Sequence, residues 1–138
     1  MKEKTLSIIK PDAISKKLTG EIIKRLEEEG FKIIGIKLIH LKKEQAMVFY
    51  EEHKEKPFFD SLSNFITETP VIVLALEKEN AVADLRKLMG ATDPSKAEPN
   101  TLRSLYGSNI ERNAIHGSAD LKSAERELNF FFSKYELI

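Results

Sequence analysis

Cysteine is absent from the 138-residue chain, which excludes disulfides, thiolate metal sites and thiol nucleophiles. Its absence fits a reducing compartment. An excess of one charge is also missing. Twenty-two Lys and Arg residues balance twenty-two Asp and Glu, so no global field draws the chain to nucleic acid or to an anionic membrane. Long apolar runs are lacking too. The longest, 71–76, is far too short to span a bilayer. Met1-Lys2-Glu3-Lys4 leads into a short alternating run without the apolar stretch of a signal peptide. These absences predict a soluble, cytoplasmic protein with no membrane partner and no specific nucleic acid. The common phosphate and metalloprotease motifs, G-x-x-x-x-G-K-[ST], G-x-G-x-x-G and H-E-x-x-H, do not occur. A phosphate handler built on this chain must use side chains where others use a glycine-rich backbone.

The length suits one domain over 1–138. Residues 5–10 read as a strand with Leu6 and Ile8 on one face, and 19–29 as a helix burying Ile22, Ile23 and Leu26 before Gly30. Residues 31–40 alternate, which places Ile34, Ile36 and Leu38 on one strand face. Short helices follow at 44–52 and 58–66. Residues 71–76 are apolar throughout and form a central strand covered on both faces. Residues 80–89 are helical, and 114–116 form a short strand. A final helix over 121–132 buries Leu121, Ala124, Leu128 and Phe131. Between them, 90–113 carries Gly, Pro and small polar residues without a period; a stretch this long is usually functional or disordered. The element order contains the βαββαβ pattern of an α+β, ferredoxin-like sandwich, a four-stranded antiparallel sheet covered by helices.

Three histidines are candidates for chemistry. His40 ends a strand and His53 lies in the charged run Glu51-Glu52-His53-Lys54-Glu55; neither carries a site-specific spacing. His116 sits where a short strand meets a glycine turn, a junction that can hold an imidazole while leaving one ring nitrogen open. Lys10 has the strand parity of Leu6 and Ile8, and a lysine on an apolar face needs a partner or a ligand.

The stretch Asn113-Ala114-Ile115-His116-Gly117-Ser118 matches the active-site signature of the nucleoside diphosphate kinase family. Lys10-Pro11-Asp12, Lys56-Pro57-Phe58-Phe59, Met89-Gly90-Ala91-Thr92-Asp93-Pro94 and Thr101-Leu102-Arg103 match further motifs in the right order. The chain resembles that family over nearly its whole length. The resemblance implies phosphoryl transfer from a nucleoside triphosphate to a nucleoside diphosphate through a phosphohistidine, with His116 as nucleophile through Nδ1. It implies Glu127 as the orienting carboxylate with Ser118 nearby. It puts Arg86, Thr92 and Arg103 on the phosphates, Lys10 and Asn113 toward the sugar and transferred phosphate, and Tyr50 beside the incoming phosphoryl. Phe58 becomes the base-stacking ring and Leu62 the other side of the base slot. The family also implies a homo-oligomer and Mg²⁺ carried by the substrate phosphates, with no protein metal cage.

The chemistry suits these residue types. Neutral imidazole is nucleophilic near pH 7. Phosphoryl transfer otherwise needs positioned cations and donors, which arginine forks and a threonine hydroxyl supply. Helical spacing does not by itself choose between Glu127 and Glu125, which flank opposite edges of the apolar stripe. Departures from the family pattern are Ala119-Asp120 after the signature serine, Asn100 before Thr101, and Ser104-Leu105 after Arg103. Two other classes of function fit the sequence less well. An RNA-binding sheet would want exposed aromatics and a basic surface, and the strands offer neither. A protein phosphocarrier would not require Phe58, Tyr50 or the paired arginines.

Overall fold

The computed structural model of the protein describes residues 2–138. Four strands, β1 (Lys2–Ile9), β2 (Lys32–Ile39), β3 (Val71–Glu79) and β4 (Ile115–Gly117), make one sheet in the order β2-β3-β1-β4 with every pair antiparallel. Helices α2 (Thr19–Glu28) and α5 (Ala81–Met89) pack on one face, while α3 (Lys43–Phe49), α4 (Phe59–Ile66) and α7 (Leu121–Phe131) lie on the other. Two short helices, α1 (Pro11–Ser15) and α6 (Leu102–Tyr106), sit in connections. The βαββαβ core is the expected α+β, ferredoxin-like sandwich, with α3 and α4 inserted between β2 and β3 and α7 appended.

Strand alternation divides the core in two. Leu6, Ile8, Val71, Val73 and Ala75 face Phe49, Leu128 and Phe131. Ile9, Leu74 and Leu76 face Ile22, Leu26, Leu85 and Leu88 on the opposite side. The central strand β3 is therefore covered on both faces, as its unbroken apolar run requires.

Four sequence expectations change. Ile34, Ile36 and Leu38 do not share a face, because a register shift between Ile33 and Gly35 interrupts the ladder to β3. One extra residue inverts the parity that follows. Ile34 stays in the core, whereas Ile36 and Leu38, opposite Leu74 and Ile72, are 53% and 68% exposed. Leu121 is 56% exposed, and the buried stripe of α7 is instead Ser123, Ala124, Glu127, Leu128 and Phe131. Helical spacing fixes the face a residue takes, and not whether an opposing element reaches its end of the helix. The aperiodic stretch 90–113 contains α6, which is too short to show a period. Thr101 caps it by accepting from the Ser104 amide, and Leu102 and Arg103 are buried. The helix expected over 44–52 ends at Phe49, with a separate 3-10 turn at Glu51–His53.

Candidate active site

His116 is placed by strand pairing. It stands opposite Ile8 in the β1–β4 ladder, so its imidazole takes the face covered by α7, while its neighbour Ile115 opposes Ile9 on the other face. Gly117 follows, where a Cβ would lie 2.8 Å from Met89 Sδ and 2.9 Å from Leu85 Cδ2 and would push those side chains aside. Ser118 continues the ladder, its amide donating to Leu6 O at 3.1 Å and its hydroxyl accepting from Leu6 N at 3.3 Å.

On α7, Glu127 turns inward. It is 5% exposed, and its Oε1 lies 2.9 Å from His116 Nε2 and 2.7 Å from Ser118 Oγ. Glu125 is exposed, so the structure separates two carboxylates that spacing left equivalent. Burial pushes the Glu127 carboxyl up, but the His116 and Ser118 hydrogen bonds and nearby Arg126 outweigh it and hold it below its ordinary value. An ionised carboxylate only accepts. Nε2 of the neutral ring therefore carries the proton, leaving the lone pair on Nδ1, which has no protein partner. Phe49 presses edge-on against the ring at 5.4 Å between centroids.

Lys10 and Asn113 from the connections and Arg103 from α6 line the cleft with the histidine. Lys10 lies just past β1 and donates to Asn113 Oδ1 at 2.9 Å and to Glu111 O at 3.3 Å. Burial, aided by Arg103, pulls its ammonium down to about 8, against the opposing pull of Asp12 and Glu111. Asn113 uses its amide nitrogen on Thr92 O and Ile110 O, which ties the loop ends together. Buried Arg103 donates to Gly90 O at 3.1 Å and Ile115 O at 2.9 Å, and burial with the nearby Arg86 brings it down to about 10. Arg86 and Thr92 are exposed and line the same cleft.

That cleft encloses about 1050 Å³ and brings together all the predicted positions except Ser118, which lies behind Glu127. Tyr50, Phe58 and Leu62 form its outer wall with His53, Ile110 and Glu111. Four buried polar atoms here lack hydrogen-bond partners: Tyr50 Oη, His53 Nδ1, Arg103 Nε and Arg126 Nε. Unpaired buried groups are costly, and four around one cleft mark a place where a polar ligand completes the bonding. Burial, followed by the Glu127 and Glu111 carboxylates, pushes the Tyr50 phenol up, so it keeps its proton.

The nucleoside diphosphate kinase family model matches residues 3–137. A nucleoside diphosphate kinase of Trichlorobacter lovleyi is 52% identical over 136 residues, covering 99% of both chains. The chain belongs to the nucleoside diphosphate kinase family. Its fold agrees: the nucleoside diphosphate kinase of Aquifex aeolicus superposes with a TM-score of 0.98 at 39% identity, covering 100% of both chains. The Halobacterium salinarum nucleoside diphosphate kinase in complex with CDP superposes with a TM-score of 0.96 at 42% identity, covering 100% of this chain and 92% of that one. The protein is accordingly a nucleotide-binding phosphotransferase.

Within this cleft, sequence reasoning passed over His53, whose ring lies tilted against Phe58 and Tyr50, with centroids 5.8 Å and 6.3 Å away. Nothing but its three-residue spacing from Tyr50 hinted at the placement. Ile110, Glu111 and Arg126 were missed because they precede or flank recognised residues without belonging to a motif. Among the described residues, no group of three or more His, Asp or Glu side chains is placed to hold a metal ion, and no helix is long and apolar enough to cross a membrane.

Proposed function

We propose that the kinase works by a two-step exchange through phosphorylated His116. In the first step the Nδ1 lone pair forms a bond to the terminal phosphorus of a nucleoside triphosphate. The P–O bond to the bridging oxygen breaks, and its electron pair leaves with the diphosphate. In the second, a terminal oxygen of another nucleoside diphosphate attacks the same phosphorus, and the N–P electron pair returns to Nδ1. Glu127, braced by Ser118, holds the Nε2 proton throughout, so the ring changes neither tautomer nor orientation. The observation that carries this reading is the 2.9 Å contact between Nε2 and Glu127 Oε1 beside an unpartnered Nδ1.

The remaining residues bind and orient. Arg86, Thr92 and Arg103 face the nucleotide phosphates. Lys10 and Asn113 serve the sugar and the transferred group, and the Tyr50 hydroxyl donates to the incoming phosphoryl. Phe58 stacks on the base with Leu62 beside it, and an aromatic face accepts any base. None of these residues is arranged as a base-edge reader, so the reading includes little base selectivity. The CDP bound by the Halobacterium salinarum relative supports a nucleotide in this cleft. Cations and amides with no carboxylate cage suit Mg²⁺ that arrives on the substrate phosphates. The reading further takes residues 1–138 as one domain of a cytoplasmic homo-oligomer.

The test is incubation with terminally labelled ATP. Acid-labile label should appear on the parent protein and be absent from His116→Ala, while the mutant still binds ADP, because the imidazole supplies chemistry and little contact area. Equal labelling of both proteins would overturn the assignment.

A further inference from the structure

Ala114 has φ +75°, and the Ile115 amide donates across it to Asn113 O at 3.0 Å. An i→i+2 bond around a residue of positive φ is the rare, strained form of γ-turn. Such a conformation persists in a non-glycine residue only where its surroundings over-determine it. Two contacts do so. The Lys10 amide donates to Ala114 O at 2.9 Å. On the other side, Asp12 Oδ2 accepts from the Ala114 amide at 3.0 Å in a buried bond. Asp12 itself is 7% exposed, and its second oxygen, Oδ1, has no hydrogen-bond partner. The turn so held lies immediately after Asn113 and two residues before His116, so its geometry fixes both.

We propose that Asp12 is a positioning residue of the transfer reaction: it clamps the Ala114 turn that sets Asn113 and His116, and its carboxylate supports the charge of Lys10 in the same cluster. The proposal rests on the phosphohistidine reading above. It assigns a second duty to the residue that follows Lys10-Pro11 in the chain. Pro11 opens α1 and turns the chain so that residues 10 and 12 both reach the 111–116 segment, one by its ammonium and the other by its carboxylate.

The two duties separate chemically. Asparagine at position 12 keeps an oxygen that accepts from the Ala114 amide but loses the charge; alanine loses both. Around Lys10 stand Arg103 from α6, which opposes its protonation, and Asp12 and Glu111, which favour it. Removing the Asp12 charge leaves Glu111 alone against Arg103, so Lys10 must then lose its proton at a lower pH than in the parent.

Full-length parent, Asp12→Asn and Asp12→Ala are compared by single-turnover labelling with terminally labelled ATP, by thermal unfolding, and by NMR of the Ala114 amide and the Lys10 side chain. Asp12→Ala should remain folded, label His116 about 10²-fold more slowly, as expected for a small misplacement of the reacting group, and exchange its Ala114 amide faster. Asp12→Asn should recover most of the rate at pH 7 while Lys10 titrates at lower pH, with the alkaline limb of the second-order labelling rate moving alongside it. A folded Asp12→Ala with parental rate and parental Ala114 exchange overturns the proposal, and so does an Asp12→Asn whose Lys10 titration coincides with the parent's. Should Asp12→Ala not fold, Asp12→Asn decides by the Lys10 titration alone. A parent that takes up no label overturns the phosphohistidine reading instead, and the Ala114 and Lys10 signals, which need no turnover, still judge Asp12.

Discussion

The cleft has two unlike walls. Toward the sheet, Lys10, Arg103, Asn113 and Glu127 are all buried, and each makes at least one hydrogen bond to a residue distant in the chain. Toward solvent, Phe58 is 46% exposed and Arg86 and Thr92 stand open. The inner wall is fastened to β1, β4 and α7, whose packing makes the core. The outer wall hangs on α4, on α5 and on the stretch that follows α5. The contrast separates groups that must be in place before the reaction, where preorganised dipoles and charges act without rearranging, from groups that need only meet a ligand. Substitutions in the inner wall should slow the chemical step; those in the outer wall should weaken binding more evenly.

The largest expected effect is at Glu127. Glu127→Gln removes the charge that holds the ring's tautomer and should slow labelling of His116 by roughly 10²–10⁴-fold, the range of positioned acid–base partners, with ADP affinity nearly unchanged. Glu125→Gln, on the exposed side of α7, should behave as the parent. A loss confined to Glu125→Gln would reverse the assignment.

Next come the two arginines, one from each wall. Arg103→Ala should cost about 2.7–4 kcal/mol in the transition state and also lower thermal stability, since the Gly90 and Ile115 carbonyls lose their donor, at about 1–3 kcal/mol for each buried group left unpaired. Arg86→Ala should weaken triphosphate binding and leave the unfolding temperature in place. Steady-state kinetics with parallel melting curves would check both, and equal destabilisation by the two would erase the distinction between the walls.

Phe58→Ala sharpens the comparison from the solvent side. It should weaken adenine, guanine, cytosine and uracil nucleotides by a similar ~1–3 kcal/mol, the range of one lost aromatic stack, without changing His116 labelling at saturating ATP. A panel of donors measures this, and a penalty confined to purines would show that pyrimidines are gripped elsewhere.

The smallest effect is a matter of pH. Lys10 in the free protein loses its proton as pH rises through about 8, so kcat/KM, which reports the free enzyme, should fall about tenfold between pH 7 and pH 9. Bound phosphate favours the ammonium, so kcat should hold to higher pH. Coincident alkaline limbs for kcat and kcat/KM would show that a group other than Lys10 sets them.

Much of this was legible in one dimension. The runs at 5–10, 71–76 and 121–132 announce two strands and a helix because burial on one or two faces imposes a period on the chain itself. The motifs around Lys10, Thr92, Arg103 and His116 identify the family because short local geometry demands particular residues. Asn100, one of the departures from the family pattern, takes left-handed backbone at φ +70°, which asparagine tolerates better than most residues. The inversion of Ile36 and Leu38 was hidden, because a bulge belongs to a pair of strands and leaves no mark on one. Spacing also left the choice of Glu127 over Glu125 open, which only the family resemblance named, and the nitrogen Glu127 holds, the presence of His53 and the clamp from Asp12 to Ala114 were hidden altogether. Each depends on the distance between groups far apart in the chain, and such distances exist only once β1, β4 and α7 have packed.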